Sequence, residues 1–182
     1  APVQEVVLEN EEADLTVFPH LKCWPMDGGK YITLPLVFSK DPVTKTKNVG
    51  IYRMQIFDKK TAGMHWQTHK VGASHFRSGE ENKINKLEVA IALGGDPVTM
   101  WSGVLPIPPD MYEIAVAGVI KNSPIEMVKC KTVDLEVPAN SEIVLEGYVI
   151  PGELRTEGPF GDHTGYYSLE DDYPVFHLTA IT

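Results

Sequence analysis

Residues 143–150 read Ile-Val-Leu-Glu-Gly-Tyr-Val-Ile, with Ala139-Asn140-Ser141 before them and Pro151-Gly152 after them. A short run of β-branched and aromatic residues between turn formers is the signature of a strand. The same pattern recurs outward in both directions: Val175 to Ile181, Glu126 to Lys131, Leu87 to Leu93, Met64 to Val71, Val49 to Phe57, Tyr31 to Ser39 and Val3 to Leu8. Pro35 marks an edge or a bulge within its run. Lys59-Lys60-Thr61-Ala62-Gly63 forms a hairpin-type turn ahead of Met64. Helices are few. Pro97 to Trp101 follows Asp96, an N-cap with Pro at the first helical position. Met111 to about Lys121 is the best helix, capped by Asp110, with Ile114, Ala117 and Gly118 toward the interior. Ser74 to Lys86 is helix or loop. Several short strands at this spacing predict a mainly β fold, a barrel or a sandwich. With no repeat and no linker, residues 1–182 make a single domain.

The 182 residues are long enough to bury a core without disulfide or metal staples. Acidic residues outnumber basic ones, 25 to 16, for a net charge of -9. Nucleic acid and anionic membranes want a basic face, so neither is an expected partner. No apolar run reaches the ~18 residues of a membrane span. Cys23 and Cys130 lie far apart and outside any CxxC, which suits a reduced, cytoplasmic setting. The chain lacks an initiator Met and a signal-peptide pattern, and its final strand stops without a tail. A segment of a longer protein is the expectation.

Four segments carry chemistry. In Asn48–Gln55, strand alternation puts Gly50, Tyr52 and Met54 on one face and Val49, Ile51, Arg53 and Gln55 on the other. Arg53 is a solvated surface residue or the partner of an anion. In Met64–Lys70, His65, Gln67 and His69 share a face of the same strand. They are structural histidines or metal ligands, and Lys70 suits a phosphate. Asp110 and Glu113 have capping-box spacing, and Glu113 is alternatively a carboxylate ligand. In Glu157–Tyr167, three glycines and Pro159 constrain a loop holding Glu157 and Asp162. That loop is a solvated turn, or it aims two carboxylates for acid–base work.

The runs GIYRMQ (50–55), MHWQTHK (64–70), PIPPDMYEIAVAG (106–118), VPANSEIVLEGYV (137–149) and EGPFGDHTGYYS (157–168) resemble the UbiD-type decarboxylases. These are reversible, non-oxidative (de)carboxylases that use prenylated FMN. The resemblance covers essentially the whole chain and corresponds to the central domain of longer members. It implies a split β-barrel of the flavin-reductase, FMN-binding type. It implies a Mn²⁺ (or Mg²⁺) held by Asn48, His69 and Glu113, which bridges to the flavin phosphate, and possible use of a monovalent cation such as K⁺. Flavin contacts fall on Ile51, Tyr52, Arg53, His65, Trp66, Gln67, Lys70, Val71 and Pro106, with Gly103 to Pro106 along the ring system or ribityl chain.

The catalytic trio falls on Arg53, Glu157 and Asp162. Arg53 orients the substrate carboxylate through its fork, Glu157 pairs with Arg53, and Asp162 donates a proton from a dry pocket that raises its pKa. The substrate is an aromatic or α,β-unsaturated carboxylic acid, hydroxybenzoate-like first. A flavin prenyltransferase supplies the cofactor, and family members are homo-oligomers. Two other classes stay open: a flavin- and metal-binding domain without turnover, and a flavin-free metal-dependent hydrolase or lyase built on His65, His69 and a carboxylate.

Overall fold

The computed structural model describes residues 1–108 and 111–182. Thirteen strands are assigned among them: β1 (Leu8–Glu9), β2 (Lys30–Ile32), β3 (Leu36–Lys40), β4 (Lys47–Ile51), β5 (Met54–Ile56), β6 (Thr61–Met64), β7 (Leu87–Leu93), β8 (Met127–Lys129), β9 (Glu136–Pro138), β10 (Ile143–Glu157), β11 (Phe160–Gly161), β12 (Tyr167–Ser168) and β13 (Asp171–Ile181). Three α-helices accompany them: α1 (Val71–Glu81), α2 (Pro97–Ser102) and α3 (Glu113–Lys121). The main sheet is antiparallel and runs β2-β5-β6-β13-β10-β7-β3-β4, with β1 added on β13.

Chain connectivity forces this sheet to curl. β4 ends at Ile51 and β5 begins at Met54, so only Tyr52 and Arg53 join the last strand of the order to the second. Three Cα steps reach at most about 11 Å. Six strand spacings across a flat sheet measure roughly 29 Å. The far ends must therefore approach one another. Thr33-Leu34-Pro35 makes a second short link of the same kind, from β2 to β3. Among the described residues no ladder joins β2 to β4, so the barrel stays open along that seam. This is a split barrel, mainly β with few helices.

Curling gives the sheet two apolar faces, and the strands are hydrophobic on both. Val89 and Ile91 of β7, Val37 of β3 and Leu145 of β10 enter one cluster with Met54, Met64 and Phe176. Their neighbours Ala90, Ala92, Leu36, Phe38 and Val144 enter a second, capped by Ile114 of α3 and Val133–Val137. Helix α1 covers the first cluster with Ala73 and Phe76. At Gly147 the backbones pack so closely that a Cβ would lie 2.0 Å from the His177 carbonyl oxygen.

Several predicted boundaries move, each for a local reason. The run 31–39 is two strands broken before Pro35, and 49–57 is two strands broken at the Tyr52–Arg53 link, which ends the alternation expected there. The strand expected over 64–71 stops at Met64. Trp66 N donates to Met64 O and Lys70 N to Gln67 O, two tight turns that lead into α1. His65, Gln67 and His69 therefore do not share a strand face. Near the start, Pro2–Gln4 is a 3₁₀ turn rather than strand. The hairpin turn closes three residues early, because Asp58 accepts hydrogen bonds from Lys60 N and Thr61 N and leaves Thr61–Met64 as strand.

β10 and β13 outrun the expected 143–150 and 175–181. A register shift between Val149 and Leu154 absorbs Pro151-Gly152 and lets pairing continue to Glu157. Asp96 caps α2 as expected, accepting from Val98 N and Thr99 N. Helix α3 starts at Glu113 with Tyr112 as its cap residue. The proposed Asp110 cap lies outside the described residues. Glu113 sits at the first helical position and accepts from Val49 N at 3.0 Å, across to β4.

Gly147→Ala tests the tight β10–β13 contact. It is expected to cost about 2 kcal/mol, the scale of overpacking a well-filled interior, and to lower the urea midpoint. An unchanged midpoint would show that the two backbones can separate at no cost.

Candidate active site

Two groups of polar residues lie on either side of the Tyr52–Arg53 link. On the first side is a cavity of about 350 Å³. Asn48, Ile51, Tyr52, His69, Lys70, Val71, Pro106 and Glu113 all line it, together with Gly103 and its neighbours. Strand β4 supplies Asn48, the turn before α1 supplies His69, and the first residue of α3 supplies Glu113. The three proposed metal ligands thus converge on one cavity although 65 positions separate the outer two in sequence. Asn48 Nδ2 donates to Tyr52 Oη at 3.5 Å, which leaves Oδ1 as the atom able to meet a cation. Glu113 is buried, and burial pushes its carboxyl above the ordinary value despite its hydrogen bonds from backbone N–H groups. Burial also raises Tyr52, with the Glu113 charge adding to it.

The donor set fits a hard or borderline divalent cation: an amide oxygen, an imidazole nitrogen and a carboxylate that burial leaves short of a counter-charge. Among the described residues no three His, Cys, Asp or Glu side chains form a metal cluster; Asn48 is the third donor expected beside His69 and Glu113. The cavity also meets the start of α1, whose N-cap residue Lys70 makes no side-chain cap. The first N–H groups of a helix beside a lysine suit a phosphate, although the Gly72 backbone here also meets Tyr52. Trp66 Nε1 is buried without a partner, packed where a Cβ on Gly72 would clash.

On the other side of the link Arg53 meets Glu157. Nε donates to Oε1 at 2.8 Å and Nη2 to Oε2 at 3.2 Å, a two-point pair around a fully buried carboxylate. Nη2 also donates to Ser168 Oγ at 3.0 Å, and the guanidinium lies over the Phe160 ring. His65 Nδ1 is 3.1 Å from Glu157 Oε2. Burial alone would raise Glu157, but hydrogen bonds from His65 and Arg53 outweigh it and hold the carboxyl below its ordinary value. Gly63 makes room here, because a Cβ would press on the Phe57 ring and the Glu157 side chain.

The loop that carries both acids is fastened at several points. Gly158 N donates to Gln55 Oε1 at 2.8 Å, and Tyr31 Oη donates to the same oxygen. Asp27 accepts from Gly161 N at 2.8 Å. β11 and β12 then form a small hairpin with Asp162 at its turn. Asp162 Oδ2 is 4.0 Å from Arg53 Nη1, and its side chain is 38% exposed. A hydrogen bond from the His163 side chain, helped by His163 N, holds Asp162 below its ordinary value. The expectation of a raised pKa in a dry pocket is therefore not met in this arrangement.

Sequence reasoning grouped His65, Trp66 and Gln67 with the flavin contacts. None of the three lines the cavity that holds Asn48, His69 and Glu113. Trp66 is buried in the first core cluster, Gln67 is exposed, and His65 is on Glu157. Arg53 also lies outside that lining. Gln55, Asp27 and Ser168 were missed as supports. Gln55 and Ser168 close two of the quoted runs without a residue type that marks the role, Asp27 lies in none of them, and only the fold brings the three together.

Glu157→Gln tests the pair. Arg53 would be left largely buried with only the half-exposed Asp162, 4.0 Å away, as counter-charge, at an expected cost of about 3 kcal/mol. Glu157 lies below 4.5, so the stability it confers is present above that value and is lost as pH falls through the lowered one. Urea melts at neutral and acid pH should show the variant weaker at neutral pH and lacking this acid step. Equal neutral stability would mean the pair contributes nothing net.

The chain matches, over residues 1–182, the family described as UbiD, 3-octaprenyl-4-hydroxybenzoate carboxy-lyase Rift-related domain. An uncharacterised protein of Archaeoglobus fulgidus is 54% identical over 182 residues, 100% of this chain and 37% of that protein. A dimeric, evolved form of the UbiD-class enzyme HmfF from Pelotomaculum thermopropionicum, in complex with prFMN, is 34% identical with a TM-score of 0.95, covering 100% of this chain and 42% of that one. Vanillic acid decarboxylase of Sedimentibacter hydroxybenzoicus, in closed form, is 31% identical with a TM-score of 0.95, covering 100% and 39%. The chain thus spans less than half the length of these relatives. With its whole length matched in sequence and in fold, the chain belongs to the UbiD family of carboxy-lyases.

Proposed function

We propose that this chain is the cofactor-binding domain of a longer decarboxylase that acts on an aromatic or α,β-unsaturated carboxylic acid, hydroxybenzoate-like first, with prenylated FMN. The observation that carries the reading is the Tyr52–Arg53 link. One of its residues lines the cavity with Asn48, His69 and Glu113, and the next holds Glu157 beside Asp162. A phosphate-and-metal site and an acid–base site therefore stand on adjacent residues.

In this reading Asn48, His69 and Glu113 hold a Mn²⁺ or Mg²⁺ ion. The ion offsets a flavin phosphate that an acidic protein would otherwise repel. Prenylated FMN, when bound, supplies the electron sink for the carbon that loses CO₂. The protein's own part is orientation and proton handling. Two Arg53 nitrogens are already committed to Glu157, so Nη1 is the one with capacity for a substrate carboxylate. The ionised Glu157 fixes the guanidinium in place and moderates its charge. Asp162 delivers the proton to carbon. To do so it must leave His163 and lose its water, which substrate and the remainder of the longer protein would bring about. The exposure of Asp162 also favours a second reading for the isolated 182 residues: they bind cofactor and metal without turnover.

The test uses the full-length protein produced with a flavin prenyltransferase and assayed on hydroxybenzoates for CO₂ release and substrate hydrogen–deuterium exchange. Asp162→Asn is expected to keep its flavin and lose both activities by ~10² or more, while Asp162→Glu keeps part of them. Parent rates in Asp162→Asn would move the proton donor elsewhere.

A further inference from the structure

We infer that His65 is a positioning residue for Glu157: its Nδ1–H is the third donor on that carboxylate and holds it in the orientation that fixes Arg53. This deepens the decarboxylase reading and rests on it. The geometry is specific. Glu157 Oε2 already accepts from Arg53 Nη2, and His65 Nδ1 approaches the same oxygen at 3.1 Å. A buried carboxylate held ionised only accepts, so the hydrogen in this bond belongs to Nδ1. The ring is steadied from two directions. His65 N donates to Arg53 O at 3.1 Å, continuing the β5–β6 pairing, and the Tyr173 ring lies against the imidazole with centroids 4.3 Å apart. The register agrees, since Gly63 faces Val175 and two residues further on His65 meets Tyr173.

Among the described residues, the other charged or titratable groups around this contact are Arg53 on the β4–β5 link, Tyr31 on β2, Asp162 at the β11–β12 turn and 4.0 Å from Arg53 Nη1, and Tyr173 with Asp171 on β13. His65 and Arg53 are the donors that offset the burial of Glu157. With three donors on two oxygens, the carboxylate has little freedom to swing away from Arg53 when a substrate carboxylate arrives. Removing the His65 donor would leave Oε2 on the longer Arg53 contact alone.

The experiment compares His65→Asn and His65→Gln in the full-length protein. The Asn amide nitrogen is bonded to Cγ, as Nδ1 is, so it restores the donor; the Gln amide nitrogen lies one bond further out and does not. His65→Asn is expected to stay within a few-fold of the parent. His65→Gln should lose ~10-fold or more in kcat, the scale for an outer partner of a functional group, with KM little changed and the flavin absorbance retained. The acid transition followed by tryptophan fluorescence should move to higher pH in His65→Gln and not in His65→Asn. If His65→Gln does not fold, His65→Ala restored by added imidazole replaces it. Equal behaviour of the Asn and Gln variants, or loss of flavin from either, overturns the assignment. If the parent protein decarboxylates no acid, the functional reading fails, and the acid transitions still decide the role of His65.

Discussion

A two-residue connection sets the architecture. Tyr52 and Arg53 must cover the distance between the last and the second strand of an eight-strand order, and they can do so only if the sheet curls. The same connection is why the barrel has a seam. Tyr52 turns to the cavity that gathers Asn48, His69 and Glu113, and Arg53 turns to Glu157. A strand continuing through this point would have placed the two side chains on opposite faces of a sheet, with no seam between them.

The energetics follow from that placement. A lone guanidinium beside an apolar interior is costly, and so is a fully buried carboxylate. Each offsets the other, and His65, Ser168 and the Phe160 ring supply further contacts. Pairs of this sort often add little net stability compared with apolar packing, while their loss is expensive. Their value here is geometric. Asp162 shares the same arginine at longer range but has solvent and His163 for company. Two carboxylates five residues apart thus experience different surroundings: one is sealed and committed, the other open to change.

Much of this was legible in the sequence. Strands such as Leu87–Leu93 announce themselves because both faces are covered and the run is apolar but for Glu88. Asp96-Pro97 fixed a helix start by local chemistry alone. The alternative in which Arg53 partners an anion follows from the cost of burying charge, and the aromatic and small residues of the glycine-rich loop suit the alternative in which it aims its two carboxylates. What stayed hidden depends on tertiary pairing. Continuation of β10 through Pro151-Gly152 relies on β13 alongside it, and the turn after Met64 relies on Trp66 finding space beneath Gly72. The support of the loop by Gln55 and Asp27 could not be read from residues lying 103 and 134 positions away from those they hold.

The central claim is that one cavity joins metal and flavin, beside the acid pair. Native mass spectrometry of the full-length protein, produced with a flavin prenyltransferase, addresses it most directly when parent and Glu113→Ala are compared. The account predicts one divalent metal and one prenylated FMN per parent protomer, and the loss of both together from the variant. Full flavin occupancy in Glu113→Ala, or a parent protein carrying neither group, would contradict it.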